Sequence, residues 1–120
     1  LNDSIEEYRR YVLPKGYLVQ DASGLITYYP AVNSTYKIDI GTGYDVTAYF
    51  QKATNKINIY IGNGCYVTKY SLSYDTENAC FIKDDTTSVI YGISRYEELY
   101  NNKALVYKLD DLEVWDNQTF

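Results

Sequence analysis

Ile57-Asn58-Ile59-Tyr60-Ile61-Gly62-Asn63-Gly64-Cys65-Tyr66-Val67 is the stretch that decides the fold of this chain. Three isoleucines at every second position place one apolar row on a single face of an extended strand, with Asn58 and Tyr60 on the other. Gly62-Asn63-Gly64 then supplies the positive φ that a tight turn between twisted strands demands, so Cys65 to Tyr70 is expected to return as an antiparallel partner.

The same period of two extends in both directions. Tyr44 to Gln51 alternates before the turn formers Lys52-Ala53-Thr54-Asn55-Lys56, and Tyr17 to Gln20 and Leu25 to Tyr29 flank Asp21-Ala22-Ser23-Gly24 as a second hairpin. Thr35 to Ile40, Cys80 to Lys83, Ser88 to Ile93, Leu105 to Leu109 and Leu112 to Trp115 complete the expected strands. Two short helices are expected as well. Ser4 with Glu7 three residues later reads as a capping box leading to Ile5, Tyr8 and Val12, and Pro14 and Gly16 stop it. Ser94-Arg95-Tyr96-Glu97 repeats the pattern before Leu99 and Tyr100. The expected fold is therefore mainly β, α+β at the margin: one domain over 1–120, an antiparallel β-sandwich or open barrel with two capping helices.

The two cysteines point to a disulfide, Cys65 with Cys80, since an even count in an exported chain favours pairing. Strand geometry sets a condition on it. If Asp75 to Asn78 were a hairpin turn, Ser73 would face Cys80 and Cys65 would lie roughly 27 Å away. The bridge therefore needs Ser71 to Ala79 to leave the sheet as a loop, or Cys80 to lie on a strand that returns beside the start of the Cys65 strand, and two free thiols are the alternative.

Export is expected on two grounds. The chain contains no Met, which reads as removal of an upstream segment, and Asn2-Asp3-Ser4, Asn33-Ser34-Thr35 and Asn117-Gln118-Thr119 are acceptor triplets for N-glycan at Asn2, Asn33 and Asn117. The formal net charge of -5, with only Arg9, Arg10 and Arg95 as arginines and scattered lysines, argues against nucleic acid. No apolar run reaches the eighteen or so residues of a membrane helix, so no membrane insertion is expected.

Catalysis is not expected either. The chain has no His, so no Ser or Cys has an evident base, and Glu6-Glu7, Glu97-Glu98, Asp84-Asp85 and Asp110-Asp111 pair neighbours whose side chains point apart. Asp84-Asp85-Thr86-Thr87 offers oxygens without the spacing of a calcium loop, so neither metal nor cofactor is assigned.

Sixteen tyrosines stand against three Phe and one Trp, and a phenol wants a partner for its hydroxyl that an apolar core does not offer. Tyr49 and Tyr60 point away from the isoleucine row, and Tyr66 and Tyr70 alternate against Cys65 and Val67. These four form the expected binding surface. The reading is a secreted or cell-surface, non-enzymatic module, of the kind a virulence effector uses, that recognises a protein or glycan through this Tyr-rich face. Two alternatives remain open: a self-assembling subunit that pairs with copies of itself, and a second sheet or a helix that covers the tyrosines and leaves only a scaffold.

Overall fold

The structure, a computed structural model, describes residues 7–32 and 34–116. The three acceptor residues Asn2, Asn33 and Asn117 lie outside the described residues, as do Ser4 and Ile5 of the first expected helix. The described chain is mainly β, in three antiparallel sheets.

The first sheet holds β1 (Glu7–Leu13), β2 (Gly16–Asp21), β3 (Leu25–Tyr29) and β4 (Ile38–Thr42) in sequential order. Its β2–β3 turn is built by one side chain. The Asp21 Oδ1 accepts from the backbone N–H of Ser23 at 2.9 Å and of Leu25 at 3.1 Å, and from the Ser23 hydroxyl at 2.6 Å. This is how an Asx turn substitutes for backbone pairing.

The second sheet holds β5 (Asp45–Gln51), β6 (Lys56–Gly62) and the ten-residue β7 (Tyr66–Asp75), with β8 (Cys80–Lys83) and β9 (Ser88–Tyr91) both paired to β7. The third holds β10 (Arg95–Glu98), β11 (Lys103–Tyr107) and β12 (Leu112–Asp116).

Among the described residues neither expected helix forms. Residues 7–13 are β1, whose Tyr11 and Val12 face Leu18 and Tyr17 on β2. Arg95–Glu98 is β10, with Tyr96 facing Val106, and only a single 3-10 turn, Tyr100–Asn102, follows it. The capping pattern was local evidence for helices of two turns or so, which are marginal in water. Strand pairing satisfies the same backbone groups and adds cross-strand packing.

The second sheet is covered on both faces. Its isoleucine face, Ile57, Ile59 and Ile61 with Val46, Leu72 and Phe81, shares one core with Leu13, Leu18, Ile26, Tyr28 and Ile40 of the first sheet. The opposite face shares a smaller core in which Tyr60 and Val67 meet Tyr96, Ala104 and Val106 of the third sheet, together with Ile93. Two polar ties hold the third sheet in place. The Thr47 hydroxyl donates to the Tyr96 carbonyl at 2.6 Å, and Arg95 pairs with Asp45.

Close approach here depends on Gly62. A Cβ at this position would stand 2.1 Å from the Ser94 carbonyl oxygen, which is backbone and has little freedom to give. We expect Gly62→Ala to cost about 2–3 kcal/mol in urea denaturation, because it forces the chain leading into β10 away from β6. An unchanged midpoint would mean that the two sheets do not meet at this residue. No helix of the described residues is long and apolar enough to cross a membrane.

Candidate functional site: an aromatic cleft beside the β7–β8 hairpin

The four nominated tyrosines do not share a face. Tyr60 is 1% exposed, its ring stacked on Tyr96 at 4.5 Å between centroids and tilted against half-buried Tyr49 at 6.1 Å. The Tyr60 hydroxyl donates to Glu98 Oε2 at 2.6 Å, an oxygen that also accepts from Asn58 Nδ2 at 3.0 Å. Tyr60 is therefore interior, sealed by the third sheet. Tyr66 and Tyr70 lie on the isoleucine side: Tyr70 faces Ile59 across the ladder, while Tyr60 faces Lys69.

The hairpin register accounts for this correction. Asn63 closes the turn through its N–H to the Tyr66 carbonyl at 2.9 Å, so Gly64 and Cys65 are the two central residues. Gly64 takes the first position with φ +92°, as the mirror-image turn with leading glycine requires. In a two-residue hairpin an even-numbered residue always faces an odd-numbered one. Tyr60 consequently shares its face with Val67 and Lys69, never with Tyr66 or Tyr70.

Along β7, side chains of equal parity line one face, and Tyr66, Tyr70 and Tyr74 recur there at every fourth residue. Each meets a different environment. Tyr66 packs against Tyr91 of β9 at 5.9 Å, and Tyr70 lies beneath the Lys83 ammonium at 5.1 Å, which also donates to the Ile40 carbonyl. Tyr74, 37% exposed, opens onto a cleft of about 560 Å³ lined by Lys15, Tyr28, Pro30, Tyr36, Tyr74, Asn78, Ala79, Cys80 and Phe81.

The cleft is built from rings set edge to face. Phe81 meets Tyr74 at 5.2 Å and 69° and meets Tyr28 at 6.3 Å and 76°, the arrangement favoured by aromatic quadrupoles. Backbone carbonyls orient the phenols: Tyr36 donates to the Phe81 oxygen at 3.1 Å and Tyr28 to the Lys15 oxygen at 2.6 Å. Burial, with Tyr36 and Cys80 close by, pushes the Tyr28 hydroxyl up to about 12; burial and Cys80 also raise Tyr36. Both phenols stay neutral, and the oxygen of Tyr36, the exposed one of the two, keeps lone pairs for a ligand hydroxyl.

Cys65 and Cys80 are free thiols, which overturns the expected disulfide. Cys80 faces Asp75 at one end of β7 and Cys65 precedes Tyr66 at the other, so about 30 Å of strand separates them. The required loop never forms, because Ser71 to Asp75 stay in the ladder.

A second cleft of about 550 Å³ lies beside Lys56, Lys69, Ser71, Asp84, Asp85 and Ser88. Two of its charges pair with each other. Asp84 accepts from the Ser73 hydroxyl at 2.7 Å and pairs with Lys56 at 3.5 Å. Among the described residues no cluster of His, Cys, Asp or Glu is arranged to hold a metal ion.

Comparison with known proteins adds no family: no family model, curated protein or solved structure matches this chain. The sequence reading missed Tyr28, Tyr36, Tyr74 and Phe81 as cleft residues. The four-residue recurrence of tyrosine along 66–74 was the available signal, but its meaning depended on the register.

Proposed function

We propose that this chain is a non-catalytic recognition module on a layered, sandwich-type β scaffold, secreted or displayed at a cell surface, that holds a glycan in the Tyr28–Tyr36–Tyr74–Phe81 cleft. The observation carrying this reading is the composition of the cleft: the part-exposed rings of Tyr36 and Tyr74, backed by the buried Tyr28 and Phe81, beside the Asn78 amide. A pyranose ring presents the matching pattern, with C–H groups on one face for stacking and hydroxyls at its edge for hydrogen bonds. The absence of His from the chain supports binding without catalysis. Export rests on the three acceptor triplets.

The test is a glycan array probed with the intact chain and with Tyr74→Ala. Tyr74 is partly exposed on β7, so its removal spares the core. The expected result is a binding set that weakens about tenfold in the variant, equivalent to about 1.4 kcal/mol. A blank array, or equal binding by both proteins, would sink the proposal. Assembly of copies is the second reading, favoured by edge strand β12 with its exposed Leu112 and Val114. Light scattering that shows a monomer at high concentration would exclude it.

A further inference from the structure

The chain is acidic overall, at -5, yet among the described residues Lys15 is the only charged one lining the aromatic cleft. Its position is set by backbone. Lys15 sits in the β1–β2 turn after Pro14, and its carbonyl receives the Tyr28 hydroxyl at 2.6 Å, so the turn is tied to the cleft wall. Lys15 is exposed, and like Lys37, Lys52, Lys69 and Lys83, and unlike Lys56, Lys103 and Lys108, it pairs with no acidic side chain of the described residues. Asp75, at the end of β7 near Asn78, is occupied elsewhere: Asn78 Nδ2 donates to it at 2.6 Å and the Glu77 N–H at 3.0 Å.

We infer that the cleft takes an acidic sugar residue, a pyranose bearing a carboxylate, stacked on the part-exposed Tyr74 ring and reaching Lys15 with its charge. The inference rests on the glycan reading and narrows it. A carboxylate at the ring edge lies close to the ring plane, so stacking and ion pairing are compatible in one pose. A neutral sugar would gain nothing from Lys15, which is exposed to water, and a cationic ligand would meet it with repulsion.

The experiment measures the affinity of the intact chain for methyl glucuronide and methyl glucoside, by ligand-observed NMR, at low and high salt. At low salt the glucuronide should bind about fivefold more tightly. That advantage should vanish at about 1 M salt, where screening reaches about 3 Å, and in Lys15→Gln, which retains the backbone carbonyl held by Tyr28. Equal affinities, or a preference that survives Lys15→Gln, overturn the acidic-sugar assignment and leave glycan binding standing. Failure of both sugars to bind removes the glycan reading along with it. Binding of an acetylated Glu-Phe dipeptide in preference to both would give the carboxylate to a protein partner and also overturn the inference.

Discussion

Tyr60→Ala is expected to lower folding stability by about 3–5 kcal/mol, and Tyr60→Phe by about 1–3 kcal/mol, in urea denaturation. The ring is 1% exposed and fills the space between Tyr49 on its own sheet and Tyr96 on the third. Truncation therefore leaves a cavity that two strand layers have little freedom to close. The Phe variant isolates the hydroxyl. It removes the 2.6 Å bond to Glu98 and leaves that oxygen with Asn58 at 3.0 Å. A hydrogen bond to a charged group is stronger than a neutral one, hence the upper end of the range. Near-equal costs for Phe and Ala would place the whole effect in the hydroxyl, and no cost for either would mean that the third sheet does not close over Tyr60.

Raising the pH should unfold the protein between pH 10 and 12, with tyrosine ionisation and loss of sheet structure occurring together. Burial pushes Tyr28 and Tyr96 up to about 12, from an ordinary value of 10. Burial first and the Glu98 bond second move Tyr60 further in the same direction. The sign follows from proton counting. Below pH 10 these phenols are protonated in both states, and their contribution to stability is complete. Above it the unfolded chain loses protons that the folded chain retains, so stability falls by about 1.4 kcal/mol per pH unit for each such phenol. Three of them give about 4 kcal/mol per unit, against a typical total of about 5–15 kcal/mol. Phenolate absorbance and far-ultraviolet circular dichroism, followed across this range, should change in one step. A smooth phenolate titration centred at pH 10 with the sheet signal intact would contradict it.

Most strand positions were legible because their signals are local. Asp21-Ala22-Ser23-Gly24 announced the β2–β3 turn, Cys80 to Lys83 is β8 as read, and the isoleucine alternation placed β6 within a residue. The misreadings also came from local signals. A Ser and a Glu three residues apart can cap a helix, but nothing nearby says whether a strand stands ready to pair. The segments containing Tyr11 and Tyr96 found partners in β2 and β11. The turn at Asn63-Gly64-Cys65 shows how fine the margin is. Placing Gly64 first among the central residues sets a register in which Tyr70 faces Ile59, and the expected tyrosine band divides between two faces.

Alternation and turn chemistry, read along one dimension, were enough to establish an antiparallel β protein and to say which residues share a strand face. Which phenols reach solvent was decided only by stacking the three sheets. A strand has two sides of similar character here, and covering one of them is an act of distant residues: Tyr96, Ala104 and Val106 close over Tyr60, while nothing comparable among the described residues closes over Tyr74. Burial is a property of the neighbours a side chain acquires, and those neighbours lie tens of residues away along the chain.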